Sequence, residues 1–328
     1  MEHIVYIADE NFVIPTLVSI RSLIVNANNP LEIHIICVEM SADSCEQLKS
    51  SETDKIKIQL HRVDDEYKDL FAKHTHVSKA ALFKFKLSEI FSDLDKILYV
   101  DGDIIFNKGF EQIFSYDISE YYAAVVQDML AVVRDSWATK LGVEKYFNSG
   151  VMYLNLKKLR ADDCCNKLIE AKKNEIVKGF MDQNVLNTVL GKNVLYLDCR
   201  FNFLVTYLRM ENCAESIASF FDMDLETVNN CIKTPYIVHF TDSKKVWKDV
   251  TAVSYENWIK YCDPSLILSL VKNYCTTISL SYVAESDKIN ELENKIAILS
   301  NKIAYVEHRT IYGFFQCFIK KIFHKKRT

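Results

Sequence analysis

Through its first 240 residues the chain alternates short apolar runs with segments of helical period. Residues 4–8 and 35–38 are apolar at consecutive positions, which is typical of strands buried on both faces. The segments between such runs repeat apolar residues every three to four positions, as amphipathic helices do. Strands that alternate with helices form a mainly parallel sheet covered by helices. The pattern therefore predicts an α/β fold, with ligands bound beyond the carboxyl ends of the strands.

The predicted elements follow one another in chain order. The strands are residues 4–8, 33–38, 56–63, 96–101, 123–127, 151–156, 194–197 and 236–240, and the helices are 14–25, 42–50, 79–91, 157–173 and 182–190. No Gly-x-Gly-x-x-Gly or Gly-Lys-Ser/Thr loop follows a strand, which argues against dinucleotide-binding enzymes and P-loop NTPases.

The net charge of −4 conceals an uneven distribution of charged residues. Residues 308–328 hold six Lys or Arg and no acid, so residues 1–307 hold 34 basic and 44 acidic side chains, a formal charge of −10. An acidic body has no surplus positive charge for phosphate backbones, so nucleic acid is not expected as a partner. The basic end mixes Lys and Arg with aromatic residues, which predicts an interfacial helix on anionic lipid. A solvated, frayed terminus is the alternative.

Six apolar residues before this basic end repeat at alternating intervals of three and four. They are Ile289, Leu292, Ile296, Leu299, Ile303 and Val306. This seam predicts either self-association through a short coiled coil or a helix packed on the body of the protein. We therefore divide the chain into a body over residues 1–262, a helical extension over 263–307 and a basic tail over 308–328.

Other features of the composition predict the compartment. The chain has no run of about 18 uncharged apolar residues, as a membrane-spanning helix would need. It shows no basic segment followed by an apolar stretch near residue 1, so no secretory signal is expected. None of the ten Cys forms a CxxC pair or the Cys/His spacing of a zinc site. We expect reduced, buried thiols in the cytosol.

Two carboxylates stand at the carboxyl end of the predicted strand 96–101. Asp101 and Asp103 stand at i and i+2, so both side chains can face one side of the chain and share an ion. Their oxygens suit Mg²⁺ or Mn²⁺, especially when a diphosphate completes the shell, and Gly102 between them permits close approach of a ligand. The alternative is a simple acidic turn, because Asp-Gly is a common turn dipeptide.

Polar side chains also end two other predicted strands. His239 is followed by Lys245 and Trp247. An imidazole added to two carboxylates favours Mn²⁺ over Mg²⁺, and a nearby lysine would neutralise phosphate charge. A lone His at a strand end is otherwise a structural residue.

Asp9 and Asn11 follow the first strand, where they could contact a nucleotide base or cap the next helix.

In their order and spacing these motifs resemble family 8 of the retaining glycosyltransferases, which includes bacterial lipopolysaccharide galactosyl- and glucosyltransferases. The resemblance covers residues 3–260, and each motif alone is weak. It rests on Asp9 and Asn11 in residues 7–12, Asp101 and Asp103 in 95–103, Asn148 in 146–151, Asp182 and Gln183 in 182–187, Asn202 in 200–203, and His239 followed by Lys245 and Trp247.

The resemblance implies a GT-A fold, in which helices flank a Rossmann-like nucleotide-binding mixed sheet, here followed by the helical, basic C-terminal tail. It implies a UDP-sugar donor and a divalent ion, Mn²⁺ or else Mg²⁺. The implied metal ligands are Asp101, Asp103 and His239. The implied nucleotide and phosphate contacts are Ala8, Asp9, Asn11, Lys84, Gly102 and Lys245. The residues implied to hold the donor sugar and frame the reacting centre are Asp128, Asn148, Asp182 and Gln183, with Gln183 as nucleophile or as electrostatic support.

The implied reaction is retaining transfer of galactose or glucose from UDP to a saccharide or glycolipid acceptor. The setting would be bacterial lipopolysaccharide or surface glycan synthesis in the cytoplasm, at the inner face of the membrane.

The sequence departs from the family at three positions, with Lys84 in place of Arg, and Asp242 and Val246 in place of Gly and Pro. Two alternatives stay open. A phosphohydrolase of the haloacid-dehalogenase type also uses Asp-x-Asp after an apolar strand. A non-catalytic homologue that binds UDP-sugar is favoured by Asp242, whose carboxylate would repel a diphosphate.

Overall fold

The computed structural model describes residues 1–62, 79–173, 182–268 and 270–271, in which ten strands form two sheets. The strands are β1 Glu2–Ala8, β2 Leu31–Cys37, β3 Ile56–Arg62, β4 Lys96–Val100, β5 Ile104–Phe106, β6 Ala123–Gln127, β7 Phe147–Asn155, β8 Val194–Leu197, β9 Phe203–Leu204 and β10 Ile237–His239. The large sheet has the order β3-β2-β1-β4-β7-β6-β8, and the small sheet has the order β5-β10-β9.

Eleven α-helices with defined bounds lie in the same described ranges, and residues 264–268 are helical as well. The eleven are α1 Val13–Asn26, α2 Ala42–Lys49, α3 Leu87–Ile90, α4 Met129–Val133, α5 Trp137–Leu141, α6 Leu156–Ala161, α7 Cys164–Lys173, α8 Gln183–Leu190, α9 Cys213–Phe221, α10 Leu225–Lys233 and α11 Tyr255–Ile259. The predicted heptad seam and basic tail lie outside the described residues, so their structure stays a prediction.

The large sheet is mixed but mostly parallel. Strands β1 to β4 pair in parallel, whereas β7 runs antiparallel to both β4 and β6, and β8 is parallel to β6. The predicted α/β class, a mixed sheet flanked by helices, is confirmed. One antiparallel strand near the centre was not evident from the apolar runs, because burial on both faces hides the direction of a strand.

The central strands of the large sheet are buried on both faces, as the continuous apolar runs predicted, whereas β3 at the edge alternates buried and exposed residues. Ile4 and Tyr6 of β1 belong to one apolar cluster together with Leu23 of α1. Val5 and Ile7, which alternate with them, belong to a second cluster on the opposite face. Side chains of a strand point alternately to its two faces, so a strand between two helical layers needs apolar residues at every position.

Several predicted helices have different boundaries in the structure. The helix expected over 79–91 is a 3₁₀ helix, Lys79–Lys86, followed by the single turn of α3. The helix expected over 157–173 is broken into α6 and α7, because Asp163 adopts a left-handed backbone with φ 51°. An aspartate tolerates this conformation better than most residues, but it ends the helical hydrogen bonding.

The strand expected at residue 151 begins four residues earlier, at Phe147. The short strands β5 and β9 have only three and two residues, too few to show a period in the sequence.

The chain divides into two compact units, Met1–His239 and Phe240–Thr328, and both sheets belong to the first. In the described part of the second unit, Tyr255 and Trp258 of α11 are buried with their ring centroids 6.3 Å apart. None of the helices among the described residues has the length and apolar character needed to span a bilayer. The predicted division at residues 262 and 307 stays a prediction.

Candidate active site

A tight connection between the two sheets places the Asp-Gly-Asp motif. Strand β4 of the large sheet ends at Val100, and β5 of the small sheet begins at Ile104, so Asp101 and Asp103 lie on the turn between them. In the small sheet β10 runs antiparallel to β5, and its register pairs His239 with Ile104. This pairing brings His239 next to Asp103, from which it is separated by 136 positions in the sequence.

Asp101, Asp103 and His239 form a compact cluster of possible ligands. One ligand atom from each residue lies within 4.8 Å of the other two. The Nε2 atom of His239 is 3.3 Å from Asp103 Oδ1 and 3.8 Å from Asp101 Oδ2. His239 and Asp103 are buried, whereas Asp101 is partly exposed and gives the cluster an open side. Two carboxylates and an imidazole suit a divalent ion such as Mn²⁺.

A chain of hydrogen bonds that starts at the backbone fixes the orientation of His239. The amide N–H of Gly150 donates to Asn148 Oδ1 at 3.0 Å, and Asn202 Nδ2 donates to the same oxygen at 2.9 Å. Asn202 Oδ1 therefore faces His239 Nδ1 at 3.1 Å and accepts its proton. With the proton on Nδ1, the Nε2 atom keeps a lone pair directed at the carboxylates, as a metal ligand requires.

The two oxygens of Asp101 have separate surroundings. The hydroxyl of Tyr99 donates to Oδ1 at 2.6 Å, and Lys84 Nζ lies 3.1 Å from the same atom. Because both contacts are made to Oδ1, it is Oδ2 that faces His239. The carboxylate is thus held in the orientation in which one oxygen is directed at the candidate ion.

Lys84 is a buried cation between two carboxylates. Its Nζ atom lies 2.6 Å from Asp182 Oδ2 and 3.1 Å from Asp101 Oδ1, and only 4% of its side chain is exposed. Burial by itself lowers the pKa of Lys84, but the attraction of Asp101 and Asp182 outweighs it and raises the pKa above its ordinary value. The lysine is therefore charged at neutral pH, beside the candidate metal ligands.

The polar residues predicted to frame the reacting centre form one network. Gln183 Oε1 accepts from the amide of Ser149 at 3.1 Å and from Asn148 Nδ2 at 3.2 Å. Gln183 Nε2 and Asn148 Nδ2 each donate to Asp128 Oδ2 at 3.2 Å. The backbone N–H of Ser149 can only donate, so it determines which end of the Gln183 amide is the oxygen. Ser149 Oγ also donates to Asp182 Oδ2 at 3.1 Å.

Two glycines border the cluster for different reasons. A Cβ atom on Gly150 would lie 2.2 Å from His239 Cε1 and 2.8 Å from Asp101 Oδ2, so only glycine leaves room for the ligands. A Cβ on Gly102 would instead lie 2.7 Å from Thr16 Oγ1 and 3.0 Å from Phe12 Cδ1. The structure thus gives Gly102 a packing role against the start of α1, and its predicted role in ligand binding stays a prediction.

The three predicted nucleotide contacts lie at the carboxyl end of β1. Ala8 ends the strand and is fully buried, whereas Asp9 is half-buried and Asn11 is exposed. Asp9 Oδ1 accepts from the amide of Asn11 at 3.0 Å and caps the following 3₁₀ helix, so the capping role considered from the sequence is present. Capping employs one oxygen of Asp9, and a nucleotide contact through the loop stays a prediction.

Lys245 and Asp242 belong to the second unit. Lys245 Nζ donates to the carbonyl of Phe240 at 3.0 Å and lies 5.4 Å from the ring centroid of Trp247. Asp242 is buried, and Ser243 Oγ donates to its Oδ1 atom at 3.3 Å. The predicted phosphate contact of Lys245 stays a prediction.

Four residues that shape the site were given no role from the sequence. Asn202, Ser149 and Gly150 stand inside segments that carry the family resemblance, so their position was the available signal. Tyr99 stands two residues before Asp101 within the predicted strand 96–101, and alternation of side chains places both on one face. The sequence therefore predicts that the Tyr99 hydroxyl lies near Asp101, but it does not show which oxygen the hydroxyl contacts.

The comparison with protein-family models identifies the family. The sequence model described as glycosyl transferase family 8 matches residues 3–251. A lipopolysaccharide 1,2-glucosyltransferase of Escherichia coli K12 is 26% identical over 255 residues, which are 75% of this chain and 72% of that protein. A lipopolysaccharide 1,3-galactosyltransferase of Salmonella typhimurium is 26% identical over 261 residues, with the same two shares.

A solved structure is similar in fold. The galactosyltransferase LgtC, crystallised with donor and acceptor sugar analogues, superposes with a TM-score of 0.64 at 22% identity. The similarity covers 79% of this chain and 94% of that one. The resemblance to the family and the GT-A fold are both confirmed, and the phosphohydrolase alternative receives no support from these matches.

Proposed function

This chain belongs to family 8 of the glycosyltransferases, and on that premise we propose that it transfers galactose or glucose from a UDP-sugar to a saccharide acceptor with retention of configuration. The two lipopolysaccharide enzymes that it resembles support an acceptor in bacterial lipopolysaccharide or another surface glycan. The observation that carries the proposal is the convergence of Asp101, Asp103 and His239 beside the network of Asn148, Asp128 and Gln183.

The donor set fits a divalent metal ion. Asp101 Oδ2, Asp103 Oδ1 and His239 Nε2 would hold it. The remaining oxygen of Asp101 already accepts from Tyr99, and the remaining ring nitrogen of His239 already donates to Asn202. Mn²⁺ accepts a mixture of oxygen and nitrogen ligands, whereas Mg²⁺ prefers oxygen alone. When bound, the ion supplies positive charge that stabilises the diphosphate leaving group.

Lys84 supplies a second, permanent positive charge. It is buried and bonded to Asp101 and Asp182, so we propose that it keeps both carboxylates in position and raises the local potential felt by the diphosphate. A side chain held in this way does not need to reorganise as negative charge develops on the leaving group.

The hydrogen bonds of Gln183 support a positioning role rather than a nucleophilic one. Its Oε1 atom already accepts from Ser149 and Asn148, which withdraws electron density from an amide oxygen that is a poor nucleophile to begin with. We propose that Gln183 and Asp128 present fixed partial charges to the sugar, and that the acceptor attacks from the face that UDP leaves.

A panel of UDP-sugars tests the proposal. With Mn²⁺ present, UDP-galactose or UDP-glucose should raise the unfolding temperature of the protein and should be hydrolysed or transferred, with release of UDP. The Asp103→Asn variant should lose turnover, whereas Asp54→Asn, a matched change of an exposed carboxylate, should keep it. UDP binding without any turnover would instead support the non-catalytic homologue, and full activity of Asp103→Asn would refute the metal assignment.

A further inference from the structure

A second cluster of possible metal ligands lies away from the site described above. His3, on β1, and Glu32 and His34, on β2, each place one ligand atom within 4.8 Å of the other two. The strand register pairs His3 with Glu32, and His34 follows two residues later on the same face. His3 precedes Ala8, at the carboxyl end of β1, by five residues, or about 16 Å of strand.

The distances in this cluster correspond to those between ligands on one small ion. His3 Nδ1 lies 3.0 Å from His34 Nε2 and 3.5 Å from Glu32 Oε2. Ligands at zinc distances in a tetrahedral shell are about 3.3 Å apart. A single proton on His3 Nδ1 can serve only one of the two acceptors fully, whereas a cation can be shared by all three atoms.

The outer sides of two ligands are already held by the next strand, β3. His34 Nδ1 lies 3.0 Å from His61 Nε2, which can accept its proton and leave His34 Nε2 free to bind an ion. Gln59 Nε2 donates to Glu32 Oε1, so the other carboxylate oxygen is the one directed at His3. Such outer partners are the usual means by which proteins orient histidine and carboxylate ligands.

The surroundings allow an ion to enter from one side. His34 is 5% exposed, and its ring packs edge-on against Phe91 with the centroids 5.0 Å apart. The side chains of His3 and Glu32 retain 21% and 15% exposure. The inner ligand is therefore shielded, while the outer two are in contact with solvent, which would supply a water molecule as a fourth ligand.

We propose that His3, Glu32 and His34 bind a divalent transition-metal ion of the zinc class that links β1 to β2. Two imidazoles and one carboxylate are a common zinc ligand set. The ion joins two neighbouring parallel strands on the face opposite α1, so it adds stability to the sheet and is distinct from the ion held by the Asp-Asp-His cluster.

Zinc titration in an Asp103→Asn background tests this site, because that change removes a ligand from the other cluster. Isothermal titration of the metal-free protein with ZnCl₂ should detect a bound ion, and zinc should raise the unfolding temperature. His3→Gln and Glu32→Gln, each introduced separately, should weaken zinc binding by at least about tenfold. Glu2→Gln, a matched change of an exposed neighbour, should leave it unchanged.

Circular dichroism of each variant shows whether a loss of zinc binding is due to a loss of folding. If His3→Gln does not fold, Glu32→Gln still tests the site, because glutamine has nearly the same shape as glutamate. X-ray absorption at the zinc edge of the Asp103→Asn protein should show two imidazole ligands. The proposal is overturned if zinc does not bind in this background, or if the affinity is the same in all variants. In either case His3, His34 and His61 form a hydrogen-bonded row without a metal.

Discussion

At the scale of single residues, the candidate site depends on protons and charges that the surrounding side chains determine. His239 presents its Nε2 lone pair because Asn202 accepts from Nδ1, and Asn202 is oriented in turn by Asn148. A backbone N–H, that of Gly150, stands at the start of this series and cannot reverse its direction. The tautomer of the histidine is therefore set by the fold before any ion binds.

Replacing Asn202 with Ala should weaken Mn²⁺ binding by about 10- to 100-fold, because the histidine loses the partner that fixes its tautomer and ring orientation. Free Mn²⁺ measured by electron paramagnetic resonance in the presence of UDP gives the affinity directly. Asn166→Ala, on the surface, serves as the control. An affinity unchanged by Asn202→Ala would show that His239 does not depend on this hydrogen bond.

Lys84 should contribute to stability as well as to the site. Lys84→Met leaves Asp101 and Asp182 without their cation and should lower the free energy of unfolding by about 3 kcal/mol, measured by urea denaturation. Lys84→Arg keeps the charge and should lose less. Because the pKa of Lys84 is raised in the folded state, its stabilisation is complete below the ordinary lysine pKa and is lost only as pH rises through the folded value. Equal stability of Lys84→Met and the parent chain would contradict this account.

At the scale of elements, the site is made where two sheets meet. The turn after β4 carries two ligands, β10 brings the third through its pairing with β5, and β7 passes beneath them. The carbonyl of Gly150 in β7 accepts from the amide of Asp101 at 2.8 Å, which brings the two backbones together at the ligands. The position of β7 thus requires glycine at 150.

Two glycine-to-alanine changes should therefore have different effects. Gly150→Ala places a methyl group against His239 and Asp101 and should reduce Mn²⁺ affinity and turnover by at least about tenfold. Gly102→Ala presses on Thr16 and Phe12 instead, so it should lower the unfolding temperature while a folded fraction still binds Mn²⁺. Calorimetry and Mn²⁺ titration of both variants separate the two effects. If Gly102→Ala instead loses metal binding without losing stability, the packing role is contradicted and the predicted role of Gly102 in ligand binding is supported.

The pattern of apolar residues predicted the long strands and helices. Strands such as β1, β2 and β6 and the helix α1 lie within two residues of their predicted limits, because burial imposes a period on many consecutive residues. The short strands β5 and β9 and the break at Asp163 depend on partners and on one backbone angle, and leave no periodic signal.

At the scale of the whole molecule, the charge distribution suggests where the enzyme works. The acidic body supplies the carboxylates of the site, although these explain little of its charge of −10. We propose that the basic aromatic end, with six Lys or Arg after residue 307, attaches the protein to the inner face of a membrane near a glycolipid acceptor. Self-association through the heptad seam at residues 289–306 is a separate proposal. Sedimentation velocity of the chain with and without these residues would test it.

Truncation after Val306 should leave turnover on a soluble acceptor unchanged and reduce co-sedimentation with anionic vesicles. Neutral vesicles should bind both forms weakly, because attraction to anionic lipid amounts to about 1 kcal/mol for each basic residue near the surface. A full-length chain with Lys320→Gln and Lys321→Gln should fall between the two. Vesicle binding that is equal in all forms would remove the lipid role of the tail.

The sequence by itself determined the class of fold, the family and the identity of the candidate ligands, because burial and motif order are properties of residue types along the chain. Only the tertiary structure decided which groups meet: that Lys84 bonds Asp101 and Asp182, that Asn202 orients His239, and that Gly102 packs on α1. It also brought together the three side chains of the second cluster, in which no motif was visible. Contacts of this kind depend on strand register and on distances of a few ångströms between residues far apart in the chain. The local pattern of residue types predicts neither the register nor these distances.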